Sequence, residues 1–499
     1  MKNVLVYSTG GQGLQEASQR EEAIVEKKKG NNVIFLCCDE TLGHCLDNPL
    51  GSKGLCKMCK FLQKSRAKKY GLSNEFHFIG EYLSKEMEIK AMDSIFDYST
   101  MDELKSIVYD GVEIGYGAVS TYVSLTRNMS YITPEIKKYL DHLLSIQIKH
   151  IEILKEIFKR INPELVYFLN GRFSQYKPLL GVSQLYNINF VCTEGLMFAD
   201  GEIKKDYFHN NIAHDMKQNT DHYNKFWYDC DDKSLRESVG RLFFENRRFG
   251  KYAGDKIYTL AQQQGKMPSH WDNSKYNIVI FNSSEDEFFS VSKEVDSFSL
   301  FKSQLEGIET IINHYKDDPS KHFYLRIHPN LNGIPYSYHT DLYNFNYTNL
   351  TVIPGTSDIS TYALMDAADK VIVFGSTMGV EAAYWKKPVI CLGYALYNLL
   401  NVVHLPKTQN ELWEMIENKN LPLLEYDNAL KYGFYYMSEE HPKFKEVQMS
   451  LVEIKVANIK RTVLSYQEIF GSHLLYFLVV RQLNRILKNI GKRFLCVPK

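Results

Sequence analysis

Ser376, Thr377 and Glu381 are the residues whose types and spacing point most directly to chemistry. They lie in 370–393, KVIVFGSTMGVEAAYWKKPVICLG, where an apolar run at 371–374 leads into Gly375-Ser376-Thr377. A helix-like segment at 378–385 and a second apolar run at 389–392 follow. The runs have the composition of buried parallel strands. The turn between them offers two hydroxyls and backbone N–H groups at a helix start, where an anionic phosphate is stabilised. Glu381 stands one helical turn further on, and a carboxylate there can accept hydrogen bonds from the two hydroxyls of a ribose. Phosphate at the turn with sugar beyond it is the layout of a nucleotide-sugar site.

Further polar groups fall at predicted strand ends, where ligands bind in open α/β sheets. His328-Pro329 follows the run 323–327 in YLRIHPN. Its imidazole can donate a hydrogen bond or positive charge to a departing phosphate, and the proline fixes the turn. Asn282, Ser283 and Ser284, in FNSSEDE, follow the run 278–281. They read as a helix cap, and a capped helix start also binds phosphate. In the first half, Asn170-Gly171-Arg172 ends the run 165–169, and Arg172 can hold a carboxylate or phosphate. Thr193-Glu194-Gly195 follows the run 188–192. Glu194 is placed as a general base for an acceptor hydroxyl, with Asp200 as the second candidate. Both acids also fit plain turns.

Cys37, Cys38, Cys45, Cys56 and Cys59 fall within 23 residues, with His44 among them. Cys56-x2-Cys59 is a metal-type pair, and Cys45 with Cys37 or Cys38 supplies a second. The set Cys38, Cys45, Cys56 and Cys59 is the candidate structural zinc site, against the alternative of small buried thiols. Asp229-Cys230-Asp231-Asp232 has the composition of an Asp-x-Asp metal motif, but no strand precedes it and it reads as a solvated acidic loop.

Positioning these residues requires the strands that precede them. Apolar runs recur at 4–7, 33–37, 76–79, 165–169 and 188–192, then at 278–281, 323–327, 350–353, 371–374 and 389–392, with helical stretches between. This alternation predicts parallel sheets covered by helices. Two sets of five predict two Rossmann-like domains, 1–265 with a helical insert and 275–410, followed by C-terminal helices over 411–499 that can pack back on the first domain. The polar, aperiodic stretch 262–277 supplies the linker. One helix is well marked: Thr133 caps it, Pro134 and Glu135 suit its first turn, and Asn162-Pro163 stops it. Its apolar stripe runs through Ile136, Leu140, Leu143, Leu144, Ile151, Leu154 and Phe158.

Lys plus Arg equals Asp plus Glu, 59 each, so no overall basic field points to nucleic acid. No apolar run approaches the ~20 residues of a membrane span, and MKNVLVYSTGG lacks a signal-peptide layout. These features predict a cytoplasmic protein. Near the C-terminus Val479, Leu483, Ile486, Leu487, Ile490 and Phe494 share one helical face, and the cations from Arg481 onward have no carboxylate among them. Such a helix can touch the inner face of a membrane or dock on the body with a solvated basic face.

With FNSSEDE, the His328-Pro329 turn, and STMGVEA before KKPV, the chain resembles the capsule polysaccharide biosynthesis family of bacterial glycosyltransferases, including those of Kdo and sialic-acid type. NGRF at 170–173, the Glu194-Gly195 step and the early cysteine-rich stretch are similar too. The resemblance implies a GT-B enzyme with a nucleotide-sugar donor, and catalysis need not use a metal because protein dipoles and His328 can bear the phosphate charge. CMP is the favoured nucleotide, with UDP and GDP open. It places His328, Ser376 and Thr377 near phosphate and Glu381 near ribose, and it implies a glycan or glycolipid acceptor at the cytoplasmic membrane face. Related sialic-acid transferases carry two acids before the glycine of their base motif. Thr193 stands at the first of these here, so Glu194 and Asp200 both remain candidates. The alternatives are transfer of a polyol phosphate from a CDP-linked donor, a non-catalytic capsule assembly or export protein, and a sugar-nucleotide epimerase.

Overall fold

The computed structural model describes residues 1–10, 14–197, 203–254, 257–447, 451–456, 459–464 and 486, without side chains at 14–15, 196–197, 203 and 451–464. The chain divides into two compact units, Met1–Ala213 with His441–Lys499, and His214–Glu440.

The first unit is built on strands β1 (Asn3–Ser8), β2 (Asn32–Cys37), β3 (Phe76–Phe78), β4 (Leu165–Leu169), β5 (Asn189–Met197) and β6 (Ile203–His209). They lie in the order β3-β2-β1-β4-β5-β6, all parallel except for the antiparallel β5–β6 pair. Val4, Leu5, Val6 and Tyr7 are all buried, which is why the strand reads as a continuous apolar run and not as an alternation. The helix Pro134–Ile161 forms as expected. Thr133 accepts the Ile136 N–H at its start, and Asn162 closes it in a left-handed conformation at φ +48°.

The second unit is built on β7 (Tyr276–Phe281), β8 (Lys321–Arg326), β9 (Leu350–Ile353), β10 (Lys370–Val373) and β11 (Val389–Cys391). The order is β11-β10-β7-β8-β9, with every pair parallel. Alternate residues serve two cores. Ile278, Ile280 and Ile372 pack with Ile308 and Ile311 on one face, and Val279, Phe281, Val371 and Val373 pack with Val380 and Tyr432 on the other. Both sheets therefore carry a topological switch, beside β1 and β4 in the first unit and beside β7 and β10 in the second. The crevice at the carboxyl ends of these strands is where such sheets bind ligands. The fold class read from the sequence, two Rossmann-like sheets, is present, and all ten expected strands form.

The units divide elsewhere than 262–277. The helices Met216–Asp229 and Lys233–Arg248 belong to the second unit because Tyr223, Phe243 and Phe244 enter its core with Tyr432 and Tyr435 from the helix Ala429–Met437. The polar linker candidate is instead a loop of that unit, with Trp271 stacked on Tyr324 at 4.4 Å. The segment 441–447 returns to the first unit. There the buried Glu21 carboxylate accepts the backbone N–H groups of Lys445, Glu446 and Val447, two of them at 2.7 Å. Helices were expected throughout 411–499, but 451–456 and 459–464 form an antiparallel hairpin, β12–β13. The predicted basic C-terminal helix lies, apart from Ile486, outside the described residues.

Candidate active site

A pocket of about 480 Å³ opens within the second unit, at the carboxyl ends of β7, β8 and β10. It collects three of the motifs singled out in the sequence: Asn282-Ser283-Ser284, His328-Pro329 and Gly375-Ser376-Thr377. These residues are separated by tens of positions, and the parallel register brings them together. Phe281 pairs with Arg326 on one side and with Val373 on the other, so the next residues of each strand emerge at one level.

The groups are tied to one another. Asn282, almost fully buried, accepts the His328 N–H through Oδ1 at 2.8 Å. Ser283 donates from Oγ to the Phe374 carbonyl at 2.7 Å, and Ser284 accepts from Asn330 Nδ2 at 2.9 Å. His328 Nδ1 accepts the Asn330 N–H at 3.1 Å, which leaves Nε2 to carry the proton of the neutral ring. The Tyr258 ring lies edge-on to the imidazole at 4.8 Å. Gly375 has φ +79°, and a Cβ there would meet the Tyr394 carbonyl oxygen at 2.4 Å, so only glycine fits this turn. The Tyr397 hydroxyl donates to the Ser376 carbonyl and pins the next residue.

Two expectations change at this turn. The helix after it, Met378–Tyr384, has only 7 residues, so an anion at the turn would be held by side chains as much as by the helix start. Glu381 does not line the pocket. It is fully buried, with Oε1 accepting Arg247 Nε at 3.0 Å and Oε2 accepting the Tyr362 hydroxyl at 2.5 Å. Both oxygens are engaged inside the protein, so the carboxylate orients a cation where a ribose contact was expected. Arg247 itself lines the pocket and also donates from Nη2 to Thr377 Oγ1 at 3.4 Å. The sequence reading missed it because it ends a helix with no motif of its own, on the far side of the assumed domain boundary. Its register with Phe243 and Phe244, a single apolar face, is the signal that ties that helix to the second core.

In the first unit, Glu194 lies in β5 opposite Asp206 of β6. Its Oε1 accepts Asn170 Nδ2 at 2.6 Å. Asn170 holds a left-handed conformation at φ +57° that turns the chain at the end of β4. Burial pushes the Glu194 carboxyl up to about 7 and the Asp206 charge adds to this, while the Asn170 hydrogen bond and the Arg172 charge oppose it. Arg172 is close enough to be felt electrostatically, and its guanidinium lies over the Phe173 ring at 4.7 Å. Thr9, at the end of β1, shares a 2.8 Å hydrogen bond with the Tyr176 hydroxyl. Asp200 lies outside the described residues.

The structure does not show the four cysteines gathered into a zinc site. Among the described residues no group of three or more His, Cys, Asp or Glu side chains is arranged to hold a metal. Cys59 Sγ instead accepts Gln63 Nε2 at 3.2 Å, and Cys56 Sγ accepts Asn48 Nδ2 at 3.1 Å. Burial pushes the Cys38 thiol up to about 12 and raises Cys45 and Cys56 as well. Asp229–Asp232 is the exposed acidic connection expected, and Asp232 caps the helix it precedes by accepting the Leu235 N–H at 3.0 Å. Among the described residues no helix is long and apolar enough to cross a membrane.

Comparison with known proteins adds one assignment. Residues 273–435 match the model of a family described as capsule polysaccharide biosynthesis protein. No curated protein matches the chain. Among solved structures it is similar to the beta Kdo 2,4 transferase of Thermosulfurimonas dismutans KpsC, at 12% identity over 55% of this chain and 79% of that one, with TM-score 0.34. It is similar to the beta Kdo 2,7 transferase of the same KpsC at 14% identity, covering 62% and 85%, with TM-score 0.33. The UDP-GlcNAc 2-epimerase of Neisseria meningitidis gives 13% identity, covering 87% and 97%, with TM-score 0.25. The family match spans β7 to β11 and every pocket motif named above. Residues 273–435 are thus similar to the capsule polysaccharide biosynthesis family, as the resemblance of the motifs implied.

Proposed function

We propose that this protein is a glycosyltransferase of capsule or surface polysaccharide biosynthesis. The donor is a nucleotide-activated sugar, with CMP the favoured nucleotide, held in the pocket of the second unit. The acceptor is a glycan or glycolipid. One observation carries the reading: Asn282–Ser284, His328-Pro329 and Gly375–Thr377 converge on a single pocket at a topological switch, inside the segment that matches the capsule family.

In this mechanism the acceptor oxygen bonds to the anomeric carbon and its proton passes to Glu194. The bond from that carbon to the phosphate oxygen breaks, and the electron pair leaves with the nucleotide. The His328 Nε2–H and the hydroxyls of Ser376 and Thr377 meet the charge that develops there. Preorganised donors of this kind are the largest single contribution in many transferases. The raised Glu194 carboxyl suits a base working near neutral pH.

The test is a turnover assay with CMP-, UDP- and GDP-sugars in the presence and absence of capsule glycolipid, with the product linkage analysed. Acceptor-dependent nucleotide release with a new glycosidic bond is expected. A phosphodiester product would move the assignment to polyol-phosphate transfer. Conversion of the donor without acceptor would make the protein an epimerase.

A further inference from the structure

The cations along the pocket wall are held in different ways. Arg326 and Arg247 are its two arginines. Arg326 donates to the carbonyls of Pro354 at 2.8 Å and Ser357 at 3.0 Å, so it braces the loop after β9. Arg247 is built in differently. Its guanidinium is oriented through Nε by the fully buried Glu381, which is held in turn by the Tyr362 hydroxyl, and through Nη2 by Thr377. The Phe243 ring packs 5.3 Å from Cζ. Only 8% of the residue is exposed, and it lines the pocket with Ser376 and Thr377.

A buried ion pair is no better for stability than apolar residues of the same volume. Glu381 and Arg247 sit where Val380, Ala382 and Phe243 show the surroundings to be apolar. A charged pair placed there, with its cation at the wall of a pocket rich in hydroxyls, is arranged to meet an anion. A planar guanidinium with a fixed orientation recognises phosphate oxygens through paired N–H groups.

We infer that Arg247, held in place by Glu381 and Tyr362, is the principal phosphate-binding cation of the donor pocket. This rests on the reading of that pocket as a nucleotide site. Arg247 is thereby a binding residue and Glu381 a positioning residue that acts through it.

The experiment compares the affinity of the full-length protein for CMP against cytidine, and for UDP against uridine, by calorimetric titration. Removing Arg247 alone strands a buried carboxylate, so the informative variant is the pair R247M with E381Q, in which Gln keeps its partner Tyr362; R247K is the conservative companion. In wild type the nucleotide should bind at least tenfold tighter than its nucleoside. In the R247M/E381Q protein that ratio should fall at least tenfold while nucleoside affinity changes by less than twofold. R247K should lie between. A merely structural role for Arg247 would lower nucleotide and nucleoside affinity together and leave the ratio unchanged, which would overturn the inference. Absence of nucleotide binding by the wild-type protein would overturn the inference together with the function it rests on, and so distinguishes the two failures.

Discussion

Replacing Glu194 by Gln separates what this carboxyl does for chemistry from what it costs the fold. Its pKa is pushed up to about 7 in the folded protein against an ordinary value of 4.5, because this half-buried carboxyl loses hydration and faces Asp206. The folded state thus keeps a proton that the unfolded chain sheds between those two values. The unfolded state binds fewer protons there, so stability falls as pH rises from about 4.5 to about 7, and the full penalty persists above. A gap of about 2.5 pH units at ~1.4 kcal/mol each corresponds to about 3.5 kcal/mol, which the partial exposure of the residue reduces. Gln has the same shape and keeps an oxygen for Asn170 Nδ2, so Glu194→Gln should match wild type near pH 4.5. At pH 8 it should stabilise the first unit by about 2–3 kcal/mol. Urea unfolding at both pH values measures this directly. Turnover at pH 8 should meanwhile drop by about 10²-fold or more with donor affinity unchanged, as expected for loss of a general base. The wild-type rate should rise about tenfold per pH unit below 7 and level off above it. A stability gap that is the same at both pH values would refute the buried-carboxyl argument. Full turnover in the variant would remove Glu194 from the mechanism.

Glu381→Ala should cost about 3–5 kcal/mol in urea unfolding, because Arg247 loses its counter-charge in the core and Tyr362 its acceptor; Glu381→Gln also removes the charge but keeps oxygen and amide groups in place for hydrogen bonding, and should cost somewhat less. Gly375→Ala should destabilise the second unit by about 1–3 kcal/mol through its left-handed backbone and the Tyr394 carbonyl, and should lower nucleotide affinity in a titration. Asn282→Ala leaves the His328 N–H without its acceptor at a buried strand end. It should cost about 1–3 kcal/mol, again in urea unfolding, and loosen the His-Pro turn.

Much of this architecture was legible because parallel strands buried on both faces announce themselves as unbroken apolar runs. The polar residues just beyond them are fixed at the sheet's carboxyl edge by topology alone. That is how His328, Ser283 and Thr377 could be assigned to one site without any contact being known. Three things were hidden. β6 carries Lys204 and Lys205, both buried, so charge masks the strand; Lys205 is paired inside, reaching Glu22 at 2.9 Å. Arg247 reaches the pocket only through the packing of Phe243 and Phe244, a tertiary fact with no local signature. Glu381 has the right spacing for ribose, but a helix side chain can turn inward as well as toward the ligand, and here a cation and a tyrosine claim it. The cysteine spacing suggested metal because spacing records proximity in sequence; the side chains meet Asn48 and Gln63 instead.

The central claim is that the pocket of the second unit binds a nucleotide through the His328 and Ser376–Thr377 turns. Thermal unfolding of the purified protein with CMP, CDP, UDP and GDP tests it most directly. A ligand at about a hundred times its Kd stabilises the native state by about 2.7 kcal/mol, which for a unit of this size raises Tm by about 5–10 °C. The account predicts such a shift for one nucleotide, and its loss in His328→Ala protein that remains folded. No shift with any of the four, or a shift that His328→Ala leaves intact, would contradict it.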